Sequence, residues 1–168
     1  MLSMGIGAAN ASYAGDVLEE IWLSSWTNSG AGTFSSDQST YPYGFQVIAT
    51  NDAIWHVHSG AFNPSLSSGD MSSVTKVQVS GHVVISSLKS DTPPELLDLK
   101  LASNSAGTSN VQLVKQWSGS GLLVFNGQID YTFDVDTAWS NLVFKINTSD
   151  DTTDAILTAT NMVVRYIV

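Results

Sequence analysis

Two short motifs carry the residues whose types and spacing could support chemistry. His56 and His58 stand two apart in "WHVH", and Asp134 and Asp136 stand two apart in "FDVD". Because side chains at i and i+2 share one face of a strand, each pair could address a single ligand. The histidines could bind a metal ion with a third ligand from elsewhere. The two aspartates offer oxygen ligands for calcium, together with the loop acids Asp150, Asp151 and Asp154. The alternatives are hydrogen-bonded surface or interface histidines and solvated carboxylates.

Paired carboxylates also serve glycosidases, which need two carboxyl groups roughly 5 to 9.5 Å apart across a cleft. Any Asp-x-Asp strand meets that spacing, so the motif does not identify an enzyme. The sequence holds no G-x-S-x-G turn, P-loop, dinucleotide-binding glycine motif or H-E-x-x-H motif. We therefore predict a protein that is not an enzyme and needs no cofactor, with bound calcium as the alternative.

Aromatic residues are concentrated in the first third of the chain, within polar, loop-rich sequence. Rings in such loops can stack on sugars or form the centre of a protein–protein contact. The alternative is that they close the ends of a hydrophobic core. The candidates for an interface or a ligand-stacking surface are Trp22, Trp26, Phe34, Tyr41, Tyr43 and Trp55.

The composition limits the partners of the chain. Charged residues make up 12% of its 168 residues, roughly half of the ~25% that is usual for soluble domains. Six Lys and Arg residues face fifteen Asp and Glu, the net charge is −9, and no cations cluster, so nucleic acids and anionic membranes are not expected partners. With no cysteine the chain forms no disulfide. A polar surface with so little charge favours a chain that packs against copies of itself.

The elements that must position these residues are strands. From Val74 onward, apolar segments alternate with Gly-, Asn-, Ser- and Pro-rich turns, which predicts an all-β fold. We expect an antiparallel β-sandwich of jelly-roll type with eight or nine strands and an extended N-terminal arm. The arm comprises residues 1–27, in which Asp16 and Glu19 allow one short helix, or else an extended strand. Residues 28–168 form a single sandwich domain, and Gly81 marks a bulge in a strand.

One stretch of the sandwich resembles a known family. It contains, in order, "KVQVSGHVVISS", "LLDLKLAS", "LLVFNGQIDYTFDVDTAWSNLVFKIN" and a terminal "ATNMVVRYIV" in which Arg165 lies between apolar residues. Residues 74–168 thus resemble the TNF-like and complement-head-like jelly-roll proteins of phage virions, which serve as head decoration proteins or fibre tips. The resemblance implies a homotrimer with the terminal strand near the three-fold axis, and it carries over no catalytic residue.

These observations lead to a functional expectation with one alternative. The main expectation is a non-enzymatic phage virion structural protein, either a capsid decoration (cement) protein or another head or tail component. It would act through subunit packing on the virion surface, as a homotrimer with other virion proteins such as the capsid as partners. The alternative is a carbohydrate- or receptor-binding module of a tail fibre tip that binds a host glycan.

Overall fold

The computed structural model describes residues 15–30, 32–49, 53–62, 64, 71–148 and 155–168. These residues form nine β-strands, and every pairing between them is antiparallel. The strands are β1 (Val17–Trp22), β2 (Trp26–Asn28), β3 (Gly32–Ser35), β4 (Phe45–Ala49), β5 (Ala53–Ser59), β6 (Lys76–Ala102), β7 (Gln112–Asp134), β8 (Asn141–Thr148) and β9 (Ala155–Ile167). None of the described residues belongs to a helix that is long and apolar enough to cross a membrane.

The strands form two packed sheets that share the long hairpin of β6 and β7. In the first sheet, β9 lies between the N-terminal part of β6 on one side and β4 and β1 on the other, and β3 pairs with β4. In the second sheet, the order is β2, β5, β8 and then the C-terminal part of β6. The prediction of an antiparallel β-sandwich with eight or nine strands is confirmed.

Alternation along the strands builds the core. In β6, the residues Leu97, Leu99 and Leu101 are buried, whereas the side chains of Asp98 and Lys100 lie on the outer face. Side chains two apart share a face of a strand, so one face of each sheet is apolar and covers the other sheet. The two inner faces interdigitate in a single hydrophobic core.

The alternation in β9 changes phase at Asn161. Leu157 and Ala159 face the core before this residue, and Met162 and Val164 face it afterwards. The register against β6 shifts at the same point, and Asn161 has a φ of 53°. Such an extra residue is a β-bulge. The predicted irregularity near Gly81 is therefore present, but the extra residue lies on β9, opposite Gly81.

Three buried aromatic rings form the centre of the core, and a fourth, partly buried ring packs against them. The Phe45 ring lies 4.9 Å from Trp26, 5.3 Å from Phe144 and 6.0 Å from Phe34, measured between centroids. Trp26 is only 5% exposed, and its Nε1–H donates to the carbonyl of Leu23 at 2.7 Å. Trp26 is therefore a core residue, which is the alternative left open for the aromatic candidates, and it is not available for ligand stacking. Phe34 is partly buried and packs against the core.

The sequence left a short helix or an extended strand open near Asp16 and Glu19. The structure has the strand, because Val17–Trp22 pairs with β9. Hydrogen bonding to β9 outweighs the weak local capping signal. The following Leu23 lies in the core, so the described part of the predicted arm belongs to the sandwich. Residues 1–14 lie outside the described residues.

Candidate functional site

The exposed aromatic surface of the described chain centres on Trp22 and Tyr43. Both residues are 40% exposed, and their ring centroids lie 4.8 Å apart with the planes inclined by 46°. Large rings normally gain free energy by burial, so two adjacent rings left in solvent are costly unless something covers them. We call Trp22 and Tyr43 the aromatic pair.

Trp22 is fixed by a polar network on the outer face of the first sheet. It is the last residue of β1, and its indole Nε1–H donates to Glu20 Oε1 at 2.6 Å. The other carboxylate oxygen of Glu20 accepts from Arg165 Nε at 2.5 Å, and Arg165 Nη1 donates to the Ser80 hydroxyl at 2.6 Å. Charge-assisted hydrogen bonds of this kind are among the stronger ones, so the indole is held in one orientation.

Tyr43 is fixed through its backbone. It adopts a φ of 48°, a left-handed conformation that costs a bulky residue about 1–2 kcal/mol. Its N–H donates to Gln38 Oε1 at 2.7 Å, and its carbonyl accepts from Met162 N at 3.0 Å. The neighbouring Pro42 carbonyl accepts from Asn161 N at 2.8 Å. Because of the bulge in β9, the N–H groups of Asn161 and Met162 bond to the loop that carries Tyr43 and not to a neighbouring strand.

The rest of the loop is ordered by Asp37. Its carboxylate accepts from the Ser39 amide at 3.0 Å and from the Thr40 hydroxyl at 3.2 Å. Hydrogen bonds from the Ser39 amide and hydroxyl lower the pKa of the Asp37 carboxyl below its ordinary value. The Asp37 carbonyl accepts from Tyr41 N at 2.7 Å. These contacts form a compact turn that supports the strained residue at its end.

Two shallow depressions adjoin the aromatic pair. One, of about 210 Å³, includes Trp22, Ser24 and Ser25 in its lining and reaches Phe62. The other, of about 300 Å³, is lined by Ser24, Gln38, Pro42 and Tyr43. Both include Ser24, which is exposed. The surface therefore combines two aromatic rings with hydroxyl groups at their edges.

Among the remaining predicted aromatic candidates, Tyr41 does not extend this surface. The backbone N–H and carbonyl of Tyr41 both bond within the loop, and the residue is partly buried. Trp55 lies on β5, opposite Ile146 of β8, and its side chain is outside the described residues. Of the six predicted residues, the structure brings together Trp22 and Tyr43.

The predicted metal ligands lie elsewhere. His56 and His58 are on β5 in the second sheet, and His58 Nδ1 lies 2.9 Å from the Ser59 carbonyl oxygen. No group of three or more His, Cys, Asp or Glu residues able to hold a metal ion occurs within the described ranges. Asp134 is exposed and pairs with Lys76, and Asp136 Oδ1 accepts from Ala138 N at 2.9 Å. The loop acids considered for calcium, at 150, 151 and 154, lie outside the described residues.

The lowered pKa of His56 predicts that the stability of the protein depends on pH. Burial, followed by the charges of Lys145, Lys100 and His58, lowers its pKa from the ordinary value of 6.5. The unfolded chain then binds more protons than the folded chain below about pH 6.5, so this residue makes stability fall as the pH falls. We expect urea unfolding between pH 7.5 and 5 to show a smaller loss of stability in His56→Gln than in the wild type. Equal losses would contradict this role of His56.

Sequence reasoning missed the residues that support the aromatic pair. Three supporting residues were not predicted. Gln38 bonds to Tyr43, Glu20 bonds to Trp22, and Asn161 bonds to the loop. One signal was available: the apolar alternation of the last strand passes from 157 and 159 to 162 and 164, which requires an inserted residue. The contacts of Gln38 and Glu20 depend on the loop conformation and have no comparable signal in the sequence.

Comparisons with solved structures find distant likenesses. No protein-family model and no curated protein sequence matches it. One similar structure contains the CBM22-1 and GH10 modules of endo-1,4-β-D-xylanase 10B from Clostridium thermocellum, complexed with xylohexaose. It has a TM-score of 0.49 and 14% identity, covering 90% of this chain and 28% of that one.

Two further similar structures are single modules. The N-terminal cellulose-binding domain of β-1,4-glucanase C from Cellulomonas fimi has a TM-score of 0.47 and 10% identity, covering 92% of this chain and 99% of the other. The CBM22-1 xylan-binding domain of Xyn10C from Paenibacillus barcinonensis has a TM-score of 0.43 and 16% identity, covering 94% and 98%, respectively. These likenesses are too distant to define a family.

Proposed function

We propose that this protein is a non-catalytic carbohydrate-binding module that binds a neutral glycan on the aromatic pair. The observation that carries the proposal is the exposed contact of Trp22 and Tyr43, with ring centroids 4.8 Å apart, on a framework that fixes both residues. This was the alternative in the sequence analysis, and the geometry favours it over the virion structural role.

The chemistry of the surface fits a sugar. A pyranose has an apolar C–H face, which can cover an aromatic ring, and a rim of hydroxyl groups, which need hydrogen-bonding partners. Trp22 and Tyr43 offer the rings, and Ser24 and Ser25 line the adjoining depression with hydroxyl groups. An aromatic face with a few polar groups at its edges is the usual composition of a small-ligand site.

The backbone supports a binding role for Tyr43. A non-glycine residue at φ 48° persists only where surrounding contacts impose it, and such strain is concentrated at functional sites. Here Gln38 and the bulge of β9 impose it. An exposed ring held at this cost is preorganised, which reduces the entropy lost when a ligand binds.

The size of the depressions fits a small ligand. Small-molecule sites are clefts of about 300–1,000 Å³, and the two depressions beside the aromatic pair have volumes of about 210 and 300 Å³. No observation on the described residues specifically supports a capsid partner or a trimer, so homotrimer formation and a virion location stay predictions from the sequence resemblance.

The proposal predicts that binding depends on both rings. We expect a glycan array to identify a neutral ligand, and we expect Trp22→Ala and Tyr43→Ala each to weaken its binding by at least about tenfold. The measurement is affinity electrophoresis or calorimetry with the neutral polysaccharide found on the array. Leu18→Ala is the matched control, because Leu18 is on the same strand, is 39% exposed and is not part of the pair.

Two outcomes would contradict the proposal. The first is that no neutral glycan binds the wild type. The second is that Leu18→Ala weakens binding as much as Trp22→Ala does, since the loss would then reflect the apolar surface of β1 in general. Urea unfolding of each variant checks that a loss of binding does not follow from a loss of folding.

A further inference from the structure

We propose that the outer face of the second sheet holds a separate site for the carboxylate of an acidic saccharide, centred on His56 and Lys145. This site is distinct from the aromatic pair, which lies on the first sheet and its adjoining loop. The inference does not depend on the proposed function of the pair, and the two can fail independently.

Strand register places the components of this site next to one another. His56 of β5 is opposite Lys145 of β8, which in turn is opposite Asp98 of β6. Directly opposed residues on neighbouring strands share a face and lie within side-chain reach. His58 and Lys100 lie one row along on the same face. The row therefore crosses three strands and carries mostly basic groups.

The charges on this face do not cancel. Lys100 Nζ lies 3.0 Å from Asp98 Oδ2, and Gln116 Nε2 donates to Asp98 Oδ1 at 2.8 Å. The Asp98 carboxylate is thus satisfied by its own neighbours. Within the part of the chain that the structure describes, Lys145 belongs to no ion pair. Among the described residues of this face, one positive charge is left uncompensated, on a chain whose net charge is −9.

His56 carries a second polar group without a partner on this face. Its Nε2 atom is buried and has no hydrogen-bond partner, and a buried polar atom without a partner costs about 1–3 kcal/mol. Burial, followed by the neighbouring positive charges of Lys145 and Lys100, lowers the pKa of His56. A carboxylate bound at Lys145 would accept from the lysine, and a turn of the His56 ring toward solvent would let the same carboxylate accept from its imidazole.

The surroundings favour a monovalent anion carried by a sugar. The single excess charge matches one carboxylate better than it matches the dianion of phosphate. Around it, Thr27 is opposite His58, and Gln116 is exposed, so neutral hydrogen-bonding groups flank the charged centre. The turn containing Gly107 covers Val143, which is fully buried although it is on the outer face. This turn forms a wall on one side of the face.

The test is an NMR titration with D-glucuronate, with D-glucose as the neutral control and acetate and phosphate as the simple anions. We expect glucuronate to shift the amide signals of His56 and Lys145 at neutral pH, and to bind more tightly than either glucose or acetate. In Lys145→Gln we expect affinity to fall by about tenfold. Lys76→Gln is the matched control, because it removes the same charge from the first sheet.

Three results would overturn the inference. No glucuronate-dependent shift at His56 and Lys145 would rule out the site. Equal losses in Lys145→Gln and Lys76→Gln would indicate a general effect of net charge, which added salt would also screen. Binding of phosphate or acetate as tight as that of glucuronate would show that the face does not recognise the saccharide. The wild-type titration is informative even if a variant does not fold.

Discussion

Replacing Gly44 by alanine is expected to destabilise the protein by about 3 kcal/mol or more and to abolish binding at the aromatic pair. An added Cβ would lie 1.9 Å from the Ala159 carbonyl oxygen, 2.7 Å from the carbonyl carbon of that residue and 2.8 Å from Thr160 Cα. All three atoms belong to the backbone of β9, so no side-chain rotation can relieve the collision. The loop must move away from β9.

The same movement would dismantle the site. Gly44 directly follows Tyr43, and the Gln38 amide donates to the Gly44 carbonyl at 3.3 Å. If the chain moves at Gly44, the hydrogen bonds from Asn161 to Pro42 and from Met162 to Tyr43 cannot both remain. Tyr43 would then lose its contact with Trp22.

The measurement for Gly44→Ala is thermal unfolding together with glycan binding. A loss of about 3 kcal/mol corresponds to a decrease in Tm of about 6–12 °C for a domain of this size. Gly127→Ala is the control, because its Cβ would meet the terminal Cζ atom of the Phe125 side chain at 3.2 Å, and a flexible ring can yield. If Gly44→Ala were as stable as Gly127→Ala, the close approach of the loop to β9 would be wrong.

Replacing Phe45 by alanine is expected to cost about 3–5 kcal/mol, the range for a large aromatic residue removed from a packed core. Phe45 is fully buried and lies at the centre of the ring cluster, within 4.9 to 6.0 Å of Trp26, Phe144 and Phe34. Since these rings come from both sheets, the cavity left by Phe45 cannot be closed by the movement of one side chain.

Urea unfolding measures the effect of Phe45→Ala. Val124→Ala is a suitable control, because Val124 is 65% exposed and a truncation there should change stability by less than about 0.5 kcal/mol. A similar, small change in both variants would mean that the ring cluster does not link the two sheets. Phe45→Leu should recover part of the lost stability, since it refills most of the cavity.

The sequence was sufficient for the fold class because its strands follow simple alternation. Leu97, Leu99 and Leu101 in β6 show this pattern directly, as do Leu142, Phe144 and Ile146 in β8. An alternation of period two predicts which face of each strand is buried, and it follows that two apolar sheet faces must pack together. It does not state which strands pair, so the length of the β6–β7 hairpin and its passage through both sheets could not be predicted.

The site was predictable only as a group of candidates. Trp26 and Trp22 are four residues apart in similar sequence, yet Trp26 lies in the core and Trp22 is exposed. Their difference depends on pairing partners: Trp22 is opposite Val163 on β9, and Trp26 is opposite Ser59 on β5. Burial is thus decided by contacts between residues distant in the sequence, which local patterns do not contain.

The central claim, that a glycan stacks on Trp22 and Tyr43, is tested most directly by the indole N–H signals in the NMR spectrum. A titration with the neutral polysaccharide selected on the array should shift the Trp22 indole signal. It should leave unchanged those of Trp26 and Trp139, which donate to the Leu23 and Asn110 carbonyl oxygens in buried positions. A ligand that binds without moving the Trp22 signal would contradict the account.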